Sequence, residues 1–184
     1  FRIGTQDHDV SQNIAALLDA LPKGKTHDIL DFGCGPGRDL CVFKELGHRP
    51  IGLDGSKEFC KMAEKQSGCR TLNQQFLKLN LKENSYDGIF ANASLFFIPS
   101  QELPRVLKQL HVSLRNGGIL FSSNPRGNVE GWQGQTYGHY MEFEASELFL
   151  NQSGFKILKH YYRPEGKPKE EQPWLAIVSK RKEP

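Results

Sequence analysis

Hydrophobic and polar positions along the chain switch repeatedly between a helical period and short apolar runs. Val10, Ile14, Leu17, Leu18 and Leu21 recur at helical spacing, which predicts a helix from Asp9 to Leu21 that Pro22-Lys23-Gly24 ends. Asp28-Ile29-Leu30-Asp31-Phe32 is a short apolar run, predicted as a strand that enters Gly33-Cys34-Gly35-Pro36-Gly37. A helix follows from Arg38 to Leu46, closed by Gly47, and then a second strand, Pro50-Ile51-Gly52-Leu53-Asp54. Ser56 is placed to N-cap a helix reaching about Gln66, with Glu58 in its first turn.

The alternation continues. Arg70 to Gln75 is a third, weaker strand, and Tyr86 to Ala93 is a fourth around Gly88-Ile89-Phe90-Ala91. Leu103, Val106, Leu107, Leu110 and Leu114 share one face of a predicted helix from Gln101 to Leu114. Asn116-Gly117-Gly118 stops it and leads to strand Ile119-Leu120-Phe121. Asn124 to Tyr140 holds glycines, two tyrosines and a tryptophan with no period, and reads as a loop. A structureless loop of that length is usually functional, which suggests a substrate lid over 124–143. A helix from Glu144 to Gln152 follows, then strands Phe155 to Tyr162 and Trp174 to Ser179 with no helix between them.

Strands alternating with helices predict a doubly wound α/β fold, a mostly parallel seven-stranded sheet with helices on both faces. The last two strands are expected to form a C-terminal antiparallel hairpin. The chain is read as one Rossmann-like domain over 1–184, with residues 1–22 as an N-terminal helical cap. Ligands of such sheets bind at the carboxyl ends of the strands. That rule gathers Phe32–Gly37, Asp54–Ser56, Gln74–Phe76, Asn92–Ser94 and Asn124–Arg126 on one rim.

Composition narrows the partners. Lys plus Arg is 24 against 21 Asp plus Glu, a net +3 concentrated near the carboxyl terminus, which reads as a solvated tail. With neither a basic face nor a recognition domain evident, a nucleic-acid partner is not expected. No apolar run is long enough to span a membrane and no secretory signal is seen, so no membrane partner is expected. The four cysteines, Cys34, Cys41, Cys60 and Cys69, form no Cys-x-x-Cys pair, which argues against a zinc site. Reduced thiols and a cytoplasmic location are expected. The chain begins at Phe1, which leaves a removed targeting peptide and organellar import open.

The glycine loop carries the chemistry. Glycines at 33, 35 and 37 allow positive φ and let a ligand approach the backbone, and the helix start behind them favours an anionic group. A dinucleotide fingerprint requires glycine at 38, where Arg38 stands instead. Asp54 closes the second strand twenty-one residues after Gly33, where a carboxylate can accept both hydroxyls of a ribose. The competing reading is a cap of the next helix, a task Ser56 already explains.

Together these stretches resemble the class I S-adenosylmethionine-dependent methyltransferases. Ile29 to Arg38 is similar to their first motif, and Ile51 to Ser56 to their second. Tyr86 to Ala93 is similar to the fourth-strand motif, and Arg115 to Leu120 to the turn before strand five. The resemblance implies S-adenosylmethionine as cofactor and S-adenosylhomocysteine as product. It implies that Gly33, Gly35 and Gly37 approach the methionine part, with Asp31 fixing the loop. Asp54 would hold the ribose, Gly55 and Ser56 would border the adenine, and Asn92 would lie on the same rim. Gln75 stands where an acid commonly meets the adenine amine, and the Phe76 N–H would meet a ring nitrogen. Phe96-Phe97 occupies the place near which many relatives carry a histidine.

Methyl transfer from a sulfonium needs alignment and a dry pocket more than acid–base help. The acceptor is expected to be a small molecule, and His8, Arg126, Tyr137, His139 and Tyr140 are the candidates for its pocket. Arg126 could grip a carboxylate or pair with a nearby acid such as Glu130. The segment Gly134 to Tyr140 could close over a substrate or be a packed surface loop. Two alternatives stay in view: a protein or RNA acceptor, and a non-catalytic methyltransferase-like subunit of an assembly. Oligomeric state has no signature in the sequence.

Overall fold

The two hydrophobic periods resolve into three layers in a computed structural model, which describes residues 9–184. The elements in order are α1 (Ser11–Ala20), β1 (Asp28–Phe32), α2 (Arg38–Glu45), β2 (Arg49–Asp54), α3 (Lys57–Ser67) and β3 (Thr71–Asn73). They continue with β4 (Tyr86–Asn92), a 3-10 turn (Leu95–Phe97), α4 (Leu103–Ser113), β5 (Leu114–Pro125), β6 (Val129–Gln133) and β7 (Thr136–Tyr140). The chain ends with α5 (Phe143–Gln152), β8 (Phe155–Arg163), a second 3-10 turn (Lys169–Glu171) and β9 (Trp174–Arg181). Seven strands form one sheet in the order β3-β2-β1-β4-β5-β9-β8. β1 to β5 run parallel, and β9 lies antiparallel between β5 and β8. This is the doubly wound α/β sheet with a C-terminal antiparallel hairpin that the pattern predicts.

Successive residues of the central strands feed opposite faces, as strand geometry requires. Leu30, Ile89, Leu120 and Ile177 join Leu107 and Leu110 of α4 on one side. Ile29, Phe90, Phe121 and Val178 pack with Ile14 and Leu17 of α1 and Phe43 of α2 on the other. Phe90 lies edge-on to Phe43 and stacked on Phe121, with centroids 5.2 and 5.0 Å apart. With both faces covered, these strands read as continuous apolar runs, which is why they are legible without alternation.

The amino ends of the strands are closed by charge. Asp28 Oδ1 accepts from Arg49 Nε at 2.7 Å, and Arg115 Nη1 donates to Asp28 Oδ2 and Asp87 Oδ2 at 2.8 and 3.0 Å. These arginines hold the Asp28 carboxyl below its ordinary range, with the Arg49 hydrogen bond the largest cause. The carboxyl ends stay open, and the turns after β1, β2, β3 and β4 meet there.

One stretch departs from the sequence reading. Residues 124–140 are not an aperiodic loop: β5 runs on to Pro125, and β6 and β7 form an antiparallel hairpin with Trp132 opposite Tyr137. Most of its residues are exposed or half-buried, so no apolar alternation marks it. β7 lies against the Leu95–Phe97 turn, with Tyr140 edge-on to Phe96 at 5.9 Å. Cys34, Cys41, Cys60 and Cys69 are free thiols. Among the described residues no helix is long and apolar enough to cross a membrane.

Candidate functional site

The turns after β1 to β4 enclose a cavity of about 390 Å³. That volume lies within the range of small-molecule sites, roughly 300–1,000 Å³. Its floor begins at the glycine loop. Gly33, Gly35 and Gly37 have φ of +83°, +51° and +98°, a region other residues enter at a cost. The three do different work. A Cβ on Gly37 would stand 2.7 Å from Ala63 Cα, so this glycine lets α2 and α3 approach. A Cβ on Gly33 would stand 2.7 Å from Ser94 Cβ, so this one seats the turn after β4. A Cβ on Gly35 meets nothing within 4 Å, and the loop there faces open space.

The loop is fastened to β2. Gly33 and Cys34 N–H both donate to Leu53 O, at 2.8 and 3.0 Å. Gly35 N–H donates to Asp54 Oδ2 at 3.0 Å, and Ser56 N–H donates to Asp54 Oδ1 at 2.8 Å. Ser56 Oγ accepts from Phe59 N–H at 3.2 Å and is the side-chain cap of α3. Asp54 thus fixes both turns while still lining the cavity. A carboxylate has about four lone-pair sites, so two remain for a ligand.

Gly55, Ser56 and Phe59 continue the wall, and Gln75 and Phe76 face them from beyond β3. Gln75 Nε2 donates to Gly55 O at 3.1 Å, which lays the amide across the turn after β2. Phe76 stacks on Phe32 with centroids 4.4 Å apart. Asn92 Oδ1 accepts from Asn13 Nδ2 at 3.0 Å, and Asn13 Oδ1 accepts from the Tyr161 hydroxyl at 2.8 Å. This half-buried relay ties the end of β4 to α1 and β8, and burial pushes the Tyr161 hydroxyl up to about 12. Ala93 follows at φ +60°, then Ser94, and Phe97 closes the cavity beyond them.

Asp31 lies beneath the loop, 2 % exposed, with Oδ2 unpartnered among the described residues. Burial first, and the nearby charges of Asp39 and Asp54 after it, raise its carboxyl well above the usual range against the opposing charge of Arg38. A cation arriving here would relieve that cost. No group of three or more metal-ligating side chains occurs among the described residues.

Asp31, Gly33, Gly35, Asp54, Gly55, Ser56, Gln75, Phe76 and Asn92 converge at this end of the sheet, whereas Arg126, Tyr137, His139 and Tyr140 do not line the cavity. Arg126 Nε donates to Glu142 Oε2 at 3.1 Å, not to Glu130, and Nη1 donates to Lys169 O and Gln172 O at 2.8 and 2.6 Å. Its guanidinium also lies 4.7 Å over the Tyr162 ring. Tyr137 donates to Glu130 Oε1 at 2.6 Å, which also accepts from Ser100 N–H at 2.7 Å. Those two bonds bring the Glu130 carboxyl down to about 2. His139 is buried edge-on to Phe149, 5.8 Å between centroids. His8 lies outside the described residues. Phe59 is a wall residue the sequence reading does not single out, and Ala93 and Ser94 enter that reading only as part of the Asn92–Ser94 rim segment. Phe59 carries a cue, standing three residues after the Ser56 cap.

The methyltransferase domain family matches residues 30–122, just over half of the chain. A probable S-adenosylmethionine-dependent methyltransferase of Saccharomyces cerevisiae, CRG1, is 25% identical over 73% of this chain and 53% of its own length. A malonyl-[acyl-carrier protein] O-methyltransferase of Hamiltonella defensa is 32% identical over 57% and 42%. A trans-aconitate 2-methyltransferase of Azoarcus sp. is 31% identical over 60% and 44%. The chain spans about half the length, or less, of these curated relatives. Burkholderia thailandensis 1,6-didemethyltoxoflavin-N1-methyltransferase, solved with 1,6-didemethyltoxoflavin and S-adenosylhomocysteine, superposes with a TM-score of 0.81 at 21% identity. That match covers 98% of this chain and 81% of the other. A Mesorhizobium loti S-adenosylmethionine-dependent methyltransferase gives 0.76 at 20% identity, covering 90% and 96%. At such identities the structures share the fold. The glycine loop, the acid that closes β2 and the matched span together establish that the chain belongs to the methyltransferase domain family.

Proposed function

We propose that this chain transfers the methyl group of S-adenosylmethionine to a small-molecule acceptor. The observation that carries the reading is one cavity bounded by the Asp54 carboxylate beside the open backbone of Gly35. When bound, the cofactor supplies an activated methyl on a cationic sulfonium. The chain's own residues account for its recognition. Asp54 accepts the ribose hydroxyls with its remaining lone pairs. Gln75 Oε1 accepts from the adenine amine while Nε2 stays on Gly55 O, and the Phe76 N–H meets a ring nitrogen. Gly35 lets the methionine arm lie close to the backbone, in a space a side chain would fill. Asp31 favours the cationic ligand over a neutral one, because a nearby positive charge lowers the cost of ionising it.

For the transfer itself these residues align and exclude water. Phe59, Phe76 and Phe97 wall the cavity, and Phe96 and Tyr140 stand behind Phe97. A low-dielectric wall and a fixed in-line approach suit displacement at a sulfonium, in which charge is dispersed. The hairpin β6–β7 borders the acceptor side through its contact with the Leu95–Phe97 turn, the role of a lid. A small acceptor is supported by relatives whose names specify trans-aconitate and 1,6-didemethyltoxoflavin. The test is transfer of labelled methyl from S-adenosylmethionine to a panel of small carboxylates, thiols and amines. Label on at least one panel member supports the reading. Label appearing only in RNA or protein fractions would replace the small molecule by a macromolecular acceptor. No label anywhere, despite tight cofactor binding, would favour a non-catalytic subunit.

A further inference from the structure

Ser94 stands out among the wall residues. The residue is 2 % exposed, and its Oγ has no hydrogen-bond partner among the described residues. Buried hydroxyls are ordinarily paired, and an unpaired one costs free energy. Ser94 precedes the Leu95–Phe97 turn, yet its side chain makes no capping bond there. The backbone meanwhile goes to some length to put it in place. Ala93 adopts φ +60°, which a residue with a Cβ rarely does, and Ala93 N–H is held by Ser123 O at 2.8 Å. Gly33 lacks the Cβ that would strike Ser94 Cβ at 2.7 Å, and that same vacant position lies 3.4 Å from Ser94 Oγ. Three local features thus seat Ser94 on the cavity wall, with its unsatisfied hydroxyl buried just behind the surface.

The order of strands says which part of a ligand it faces. Along the rim the turns run from Gln75 past β3, to Asp54 at β2, to Gly33 at β1, to Ser94 past β4. A nucleoside whose ribose rests on Asp54 and whose base lies toward Gln75 directs its remaining arm over β1 toward β4. We propose that Ser94 is a cofactor-binding residue whose hydroxyl hydrogen-bonds the charged amino-acid end of S-adenosylmethionine. The assignment rests on the cofactor reading above. A hydroxyl suits that end because it can accept from an ammonium or donate to a carboxylate.

The experiment is calorimetric titration of wild type and Ser94→Ala with S-adenosylhomocysteine and with 5′-methylthioadenosine, which keeps the nucleoside and lacks the amino-acid end. Ser94→Ala is expected to weaken S-adenosylhomocysteine binding by about 10- to 100-fold, the loss of one hydrogen bond to a charged group. Methylthioadenosine affinity is expected to stay unchanged. The melting temperature of the unliganded variant should hold or rise, because an unpaired buried hydroxyl is removed. A hydroxyl with a purely structural role predicts the reverse: a lower melting temperature and unchanged affinities. Unchanged S-adenosylhomocysteine affinity overturns the assignment, as does an equal loss for both ligands. Wild type that binds neither compound refutes the cofactor reading itself and the Ser94 assignment with it.

Discussion

Asp54 is asked to do two things at once, so its removal should be felt in two ways. In the unliganded protein its carboxylate accepts from Gly35 N–H at 3.0 Å and Ser56 N–H at 2.8 Å. Hydrogen bonds to a charged group contribute about 1.5–3 kcal/mol each, and discounting the pair for partial exposure leaves about 2–4 kcal/mol. For a chain of this length each kcal/mol moves the melting temperature by about 2–4 °C, so Asp54→Ala should melt roughly 4–16 °C lower. The second effect is on the ligand. Losing two ribose contacts should weaken S-adenosylhomocysteine on the order of 30- to 1000-fold. Asp54→Asn separates the reasoning from simple loss of bulk. A carboxamide has one acceptor oxygen, so one of the two loop N–H groups must face an amide NH2. The asparagine variant should therefore fall well short of wild type in both assays, scanning calorimetry and titration at a temperature where each variant is folded. A folded Asp54→Ala with unchanged affinity would refute the ribose role, and an unchanged melting temperature would refute the clamp on the glycine loop.

Other substitutions separate the roles within the site. Gly35→Val, strained at φ +51° but with no neighbour to strike, should lose some stability and abolish ligand-induced thermal stabilisation, whereas Gly37→Ala, which drives a Cβ into Ala63, should lower the melting temperature and keep that stabilisation; the reverse pattern would contradict the division. Asp31→Asn should raise stability at neutral pH, because burial raises the carboxyl in the folded state and its ionisation in the unfolded chain then works against folding. That gain should fade as pH falls below the unfolded value of about 3.8, and affinity for the cationic cofactor should drop; denaturation midpoints across pH 3–8 check the sign. Arg126→Lys should lower the melting temperature and leave S-adenosylhomocysteine affinity unchanged, since a lysine cannot reproduce the contacts to Glu142, Lys169 O and Gln172 O. A weakened titration with an unchanged melt would place Arg126 at the ligand instead.

What the sequence discloses follows from which physical constraints leave a mark on residue type. The parallel core is buried on both faces, so Ile29-Leu30, Ile89-Phe90 and Leu120-Phe121 announce it directly. Positive φ favours glycine, so the loop at 33, 35 and 37 is visible, and a carboxylate at a strand end is visible in Asp54. The hairpin at 129–140 is hidden because Val129 and Trp132 are exposed and no apolar alternation survives. Arg126 is read toward a ligand because its partners, Glu142 and two carbonyls beyond residue 168, are remote in sequence. Ser94 falls in the rim segment that the strand-end rule gathers, but its residue type marks no ligand contact, since a serine after a strand suits any turn. Only the close approach of Gly33 and the left-handed Ala93 reveal its place.

The central claim is that the cavity lined by Gly33 and Asp54 binds the nucleoside cofactor of methyl transfer. Isothermal titration of the chain with S-adenosylhomocysteine tests it most directly. Saturable binding at one site per chain, retained in Arg126→Lys and lost or strongly weakened in folded Asp54→Ala, is the predicted result. Absence of binding to the wild-type chain, or equal binding to wild type and folded Asp54→Ala, would contradict it.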